Sequence, residues 1–256
     1  MSSKTENNKI LLMNKSMKTF LVDKDKDFHS NFGMVSKEDL SKAKPGDIVK
    51  TNVGKEFFVL EPFFYDKYNK IKRSAQIIPK KDIGIILSNT LISKEDVCIE
   101  AGSGTGALAI AIARYCKKVF SFDVREDHQE VAKKNAEFLG ITNIEFNIGS
   151  IYDVEFVLSV IKKTKASLLA LDVPEPWQGI ETAKAVLKTG GFLVVYTPTI
   201  IQNADFVNEL KNHNEFIHIK TVNVMEQEWE IDGRKIRPKS WSIYHSGFIS
   251  FARKVR

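Results

Sequence analysis

The chain has 256 residues and a mass of 29.0 kDa, room for one or two domains with a sizeable core. Hydrophobic residues make up 43% and charged residues 27%, the balance of a soluble globular protein, and no apolar run has bilayer-spanning length. Thirty-eight basic against 32 acidic residues give a net charge of +6 and a pI near 9.1, which permits a polyanionic partner without requiring one. The polar first residues carry no secretory core, and Ile10-Leu-Leu-Met is too short to supply one. Cys98 and Cys116, the two cysteines, lie in segments that read as buried. Free thiols and a cytoplasmic location are therefore expected, with no membrane partner.

Residues 1–19 are polar and Lys-rich and read as a flexible tail. Residues 20–73 read as a small β-rich domain with short aromatic strands such as Glu56-Phe-Phe-Val-Leu60, opening at Thr19-Phe-Leu-Val-Asp23. Turn chemistry separates them at Lys44-Pro-Gly-Asp47 and Asn52-Val-Gly-Lys55. The charged run Lys67–Arg73 lies where a linker is expected. Residues 74–256 then alternate between helical and extended patterns. Asp82–Leu91 has helical spacing, Val97–Glu100 is a buried strand, and Ala107–Cys116 is an apolar helix. Lys118–Asp123 follows as a strand and Glu126–Gly140 as an amphipathic helix stopped by its glycine. Ile144–Ile148 and Ala166–Leu171 read as strands, Gly179–Leu187 as a helix and Gly191–Tyr196 as a fifth strand. This alternation predicts an α/β, doubly wound, mostly parallel sheet, closed in antiparallel fashion by a terminal strand around Gly247–Arg253.

Glu100-Ala-Gly102-Ser-Gly104-Thr-Gly106-Ala leaves the first strand of that sheet and opens a helix. Glycines there let the backbone turn and approach a ligand, and the helix start offers free N–H donors. The same loop satisfies G-x-G-x-x-G/A, so a nicotinamide dinucleotide competes with other nucleotide cofactors. Glu100 stands where a ligand's amino group could be received. Asp123 ends the second strand, where a carboxylate can accept from both ribose hydroxyls of either cofactor. The fourth strand ends in Leu171-Asp172-Val-Pro174-Glu-Pro176-Trp177. Strand ends of this kind face the ligand crevice, the prolines stiffen the exit, and Trp177 offers a ring for stacking.

Together these residues resemble the TrmI-type tRNA (adenine-N1)-methyltransferases, class I S-adenosylmethionine-dependent enzymes. The resemblance is carried by Gln76-Ile-Ile, Glu100–Leu108, Asp172-Val-Pro-Glu-Pro-Trp177, Tyr196-Thr-Pro with Gln202, Arg237-Pro238 and His245-Ser-Gly-Phe248. It implies a seven-stranded methyltransferase sheet, S-adenosyl-L-methionine as cofactor, tRNA as partner and a homotetramer. It further implies that Glu100, Gly102, Gly104, Thr105, Gly106, Ala107 and Leu108 hold the methionine portion, with Gln76 nearby. Asp123 would hold the ribose, Ser150 would sit beside the adenine, and Asp172 would stand at the target base as the catalytic residue. The implied target is the T-loop adenine at tRNA position 58, with 57 a second target in archaeal members. Three positions depart from the family pattern. Gln76-Ile-Ile-Pro79 lacks the usual tyrosine, Ser150 replaces a Gly-Asp pair, and Ser246 replaces threonine.

The five histidines show no metal-site spacing, and no metal is expected. Trp177, Arg237, Lys239 and His245 are the candidate RNA-binding residues. For the basic run Arg234–Lys239, beside Trp241 and Tyr244, a solvated hairpin competes with a phosphate contact. The expected activity is methyl transfer to adenine N1. A catalytically silent RNA-binding subunit is the rival, and a nicotinamide-dependent oxidoreductase is a weaker one. Silent subunits lose the glycine loop and the strand-end aspartate, and this chain has both.

Overall fold

The computed structural model describes residues 8–73, 76–162, 164–240 and 245–256. They divide between Ile71 and Lys72 into two compact units. The first contains β1 (Lys9–Met13), β2 (Thr19–Asp23), β3 (Phe28–Ser30), β4 (Gly33–Val35), α1 (Lys37–Lys42), β5 (Ile48–Lys50), β6 (Glu56–Leu60) and α2 (Phe64–Tyr68). Its main sheet runs β2-β1-β6-β5, and every neighbouring pair is antiparallel. Phe57 anchors the core beneath it, with the rings of Phe20, Phe28 and Phe32 edge-on at 5.9–6.0 Å. Such aromatic pairs add specific geometry to apolar burial.

The expected flexible tail is corrected here. Lys9–Met13 is an interior strand of this sheet, and Ile10, Leu11 and Leu12 are all buried. Three apolar residues in a polar surround show no period to read. Their burial comes from pairing with β6, more than forty residues away, where Leu12 lies opposite Val59.

The second unit holds α3 (Lys80–Thr90), β7 (Val97–Ala101), α4 (Ala107–Ala113), β8 (Lys118–Asp123), α5 (Glu126–Phe138), β9 (Ile144–Ile148), α6 (Val154–Ile161) and β10 (Ala166–Leu171). It continues through a 3-10 turn at Pro176–Gly179, α7 (Ile180–Val186), β11 (Leu187–Thr197), α8 (Ile200–Leu210), β12 (Phe216–Val222), β13 (Trp229–Asp232), β14 (Lys235–Pro238) and β15 (Phe248–Lys254). Seven strands lie in the order β12-β15-β11-β10-β7-β8-β9. All interior pairings are parallel except those of β15, which runs against both β11 and β12. The expected mostly parallel sheet, closed by an antiparallel terminal strand, is what forms.

Alternation along the strands assigns the two faces. Ile99, Ala101, Phe120, Phe122, Leu169 and Leu171 join residues of α6, α7 and α8 in one large core. Their neighbours Cys98, Glu100 and Ser121 therefore turn toward the opposite face. Strands β8, β9 and β10 coincide with the runs read from sequence, whereas α6 and α8 are helices that the sequence reading leaves unassigned. The strand order reverses at β7, between β8 on one side and β10 on the other, which opens a crevice at their carboxyl ends, where such folds bind ligands.

Candidate active site

The strand β7 ends at Ala101, and the chain turns at once through Gly102, Gly104 and Gly106, with φ of +92°, +49° and +79°. Side-chain-bearing residues rarely take these angles. Space is equally restrictive, because a Cβ on Gly102 would lie 1.9 Å from the carbonyl oxygen of Asp172. The two strand ends are stitched here: Asp172 N–H donates to Ala101 O at 2.8 Å, and Gly102 N–H to Phe122 O at 2.9 Å. The loop, the end of β8 and the end of β10 thus converge.

They border a cavity of about 280 Å³, lined by Gly102, Gly104, Asp123, Ser150 and Asp172 among the expected residues. Asp123 is held in a defined orientation: Oδ2 accepts from Gly104 N–H at 3.0 Å, and Oδ1 from Arg125 N–H at 3.0 Å. His128, on the first turn of α5, approaches Oδ2 with Nδ1 at 3.3 Å. Ser150 Oγ accepts from Tyr152 N–H at 3.1 Å, and the Tyr152 hydroxyl accepts from Glu175 N–H at 3.3 Å.

The Asp172 carboxylate has no hydrogen-bond partner among the described residues. Protein atoms crowd it although some of the residue's surface stays accessible. Burial first, and the Asp123 charge second, push its pKa up to about 7. An acid poised near neutrality at the mouth of a crevice is a functional-site signature.

Several expected residues fall elsewhere. Glu100 does not line the cavity. It lies on the other sheet face, 1% exposed, with Oε2 accepting from Ser121 Oγ at 2.7 Å. Burial first, and the charges of Asp172 and Asp123 after it, raise its pKa to about 8, against the lowering effect of Ser121. Thr105, Ala107 and Leu108 are buried and shape the turn from behind, and Gly106 packs against Ala132. Gln76 is exposed and outside the cavity lining.

The RNA candidates lie at separate places around the second unit's sheet and hairpin. Trp177 is half-buried, with part of its side chain packed against the main core just after β10. Large aromatic rings next to a core are drawn into it by the apolar area they bury. Arg237 and Lys239 lie on the β13–β14 hairpin and pair across it, Arg237 Nε with Glu230 at 2.6 Å and Lys239 with Glu228. The run forms an exposed hairpin, and the neighbouring Trp241 and Tyr244 lie outside the described residues. His245 is exposed, with both ring nitrogens engaged: Nε2 reaches Pro198 O at 3.1 Å, and Nδ1 meets Asn223 Nδ2 at 3.1 Å.

Sequence reasoning missed Arg125, His128 and Tyr152 in the cavity wall. The available signal was position alone, since residues in the turn or first helical turn after a strand lie beside the strand end. Among the described residues, no group of three or more His, Cys, Asp or Glu is arranged to hold a metal, and no helix is long and apolar enough to cross a membrane.

Comparison with known proteins agrees with this geometry. A Methanocaldococcus jannaschii protein named tRNA (adenine(57)-N(1)/adenine(58)-N(1))-methyltransferase TrmI is 30% identical over 95% of this chain and 94% of its own length. A Thermus thermophilus protein named tRNA (adenine(58)-N(1))-methyltransferase TrmI is 29% identical over 89% of the chain and 88% of its own length. Among solved structures, a Thermotoga maritima protein described as a SAM-dependent O-methyltransferase superposes with a TM-score of 0.87 at 27% identity, covering 100% and 96% of the two chains. The Aquifex aeolicus tRNA (m1A58) methyltransferase TrmI shares the fold, with a TM-score of 0.81 at 22% identity over 97% of each chain. The family model described as tRNA methyltransferase complex GCD14 subunit matches residues 67–253, and with most of the chain inside that match the protein belongs to this tRNA methyltransferase family.

Proposed function

We propose that the chain transfers the methyl group of S-adenosylmethionine to N1 of adenine in the tRNA T-loop, at position 58, with position 57 a second candidate. Family membership and the names of the archaeal and Thermus relatives support the acceptor. The observation that carries the reading is Asp172, a raised-pKa carboxylate bordering the same cavity as the glycine loop and Asp123.

The cavity residues fit the donor. Gly102 brings bare backbone to the crevice, where any side chain would strike Asp172, and Asp123 offers an oriented carboxylate at the strand end. When bound, S-adenosylmethionine supplies a methyl group on a positively charged sulfur. Asp123 would accept from its ribose hydroxyls, and Ser150 would hydrogen-bond near its adenine. Adenine N1 already carries a lone pair, so the protein's main task is to position it. Asp172, ionised, would accept from the exocyclic amino group and offset the positive charge the base gains on methylation. The target base must leave its stack to reach this pocket.

A catalytically silent RNA-binding subunit is the rival, and the intact loop with Asp172 at the cavity favours the enzyme. Family membership speaks against the nicotinamide-dependent oxidoreductase. We also read the chain as a cytoplasmic homotetramer, on the family resemblance, which light scattering after size-exclusion chromatography tests. The function is tested by mass spectrometry of nucleosides from tRNA incubated with protein and S-adenosylmethionine. The expected product is 1-methyladenosine in the T-loop, and methylation confined to another nucleoside or to a non-RNA acceptor contradicts the reading.

A further inference from the structure

Lys81 and Asp82 open α3, just after the Gln76–Pro79 stretch, and both side chains are almost wholly enclosed at 6% and 0% exposure. Lys81 Nζ spends its three donors on Asp82 Oδ1 at 2.8 Å, Val224 O at 2.7 Å and Ser246 Oγ at 2.6 Å. Ser246 Oγ in turn donates to Asp82 Oδ2. A buried ion pair with every ammonium donor used and both carboxylate oxygens bonded costs solvation and gives direction, which suits a device that fixes geometry.

What the pair holds is the segment before β15. The Ser246 carbonyl accepts from the Tyr196 hydroxyl at 2.7 Å, and a Cβ on Gly247 would strike Tyr196 Cζ at 2.4 Å. The tyrosine ring is therefore flush against Gly247 and tied to Ser246. Asn223 Nδ2 secures Gly247 O from the other side at 2.9 Å. In the β10–β11 pairing Leu171 is level with Val195, so Tyr196 stands level with Asp172. The charges of Asp82 and Asp172 both act on its phenol. Three stretches far apart in sequence, each singled out by motif, thus meet at one point. None of Lys81, Asp82 or Ser246 borders the cavity that holds Asp123 and Ser150.

We propose that Lys81, Asp82 and Ser246 form a latch that fixes Tyr196 beside Asp172, making them positioning residues for the methyl acceptor and not for the cofactor. The inference rests on the reading of Asp172 as the acceptor-side group. Position 246 is also where this chain has serine in place of the family's usual threonine; either hydroxyl can complete the latch.

The test compares Ser246→Ala, Ser246→Thr and Asp82→Asn in single-turnover methyl transfer to tRNA, with S-adenosylhomocysteine binding measured by calorimetry. Ser246→Ala should slow transfer by about 10- to 100-fold, the scale of a small misplacement of reacting groups. Its S-adenosylhomocysteine affinity should stay within about twofold of wild type, and Ser246→Thr should restore the rate. An unchanged rate in Ser246→Ala overturns the latch, and so does a parallel loss of rate and cofactor affinity. If Asp82→Asn fails to fold, the two serine variants decide. Should wild-type protein methylate no tRNA adenine, the functional reading fails, and the latch is judged separately by 13C-tyrosine NMR. The Tyr196 resonance, assigned with Tyr196→Phe, should be sharp in wild type and exchange-broadened in Ser246→Ala, and identical spectra overturn it.

Discussion

The backbone of Gly102 runs so close to Asp172 that a Cβ on the glycine would sit 1.9 Å from the aspartate's carbonyl oxygen. The cofactor loop and the acceptor-side acid are thus packed against each other, main chain to main chain. Gly102→Ala adds a steric clash to the cost of a positive φ, which alone is about 1–2 kcal/mol for a side-chain-bearing residue. The variant should melt at least several degrees lower and bind S-adenosylhomocysteine weakly, as calorimetry and thermal denaturation will read. Wild-type melting and affinity in this variant contradict the packing.

Asp123 has two duties, and its replacement should reveal both. Its oxygens order the backbone of Gly104 and Arg125 and would receive the ribose hydroxyls. Asp123→Ala should weaken S-adenosylhomocysteine binding by about 2–4 kcal/mol, the scale of charge-assisted bonds lost in a desolvated site. Wild-type protein should bind no nicotinamide dinucleotide. Calorimetry reads both, and preference for the dinucleotide revives the oxidoreductase.

Stability should depend on pH through Asp172. Its pKa rises from 3.8 to about 7 on folding, so the folded protein holds this proton more tightly than the unfolded chain does. The contribution is complete below about pH 4 and is lost as pH climbs to about 7, with an upper value near 4 kcal/mol. Asp172→Asn should flatten the fall in melting temperature across that window and melt above wild type at pH 8. Glu100, with its pKa near 8, leaves a residual slope in the variant. Parallel wild-type and variant curves contradict the assignment.

Much of this was legible in the sequence where local pattern decides structure. Lys118–Asp123, Ile144–Ile148 and Ala166–Leu171 are apolar runs bounded by turns, and they form strands with those bounds. The Gly102–Gly106 spacing and Asp172 at a strand end were readable because one backbone geometry demands them. Val154–Ile161 was not, since six of its eight residues are apolar and a helical face cannot be told from a strand. Glu100 was assigned to the ligand because it stands directly before the glycine turn. Period-two alternation instead turns it to the other sheet face, onto Ser121. Lys81 and Asp82 carry no local pattern that marks a buried pair, because contacts with Ser246, more than 160 residues away, enclose them.

The hairpin gives a test of where RNA binds. Arg237 and Lys239 are exposed and paired with Glu230 and Glu228, and such surface pairs contribute about 0–1 kcal/mol each to stability. Replacing both with Gln should leave the melting temperature nearly unchanged. Where these residues meet phosphates, the double variant should flatten the dependence of log K on log salt by about 2. Filter binding across a salt series reads this, and an unaltered slope moves the RNA contacts elsewhere.

The most direct test of the central claim is single-turnover methyl transfer to tRNA by Asp172→Ala and Asp172→Asn at saturating S-adenosylmethionine, with 1-methyladenosine counted by mass spectrometry. Loss of one preorganised electrostatic group predicts a rate at least about 100-fold lower in Asp172→Ala. Asp172→Asn, which can still accept from the amino group but carries no charge, should also be slow. Near-normal transfer by Asp172→Ala would remove the carboxylate from the chemistry and contradict the account.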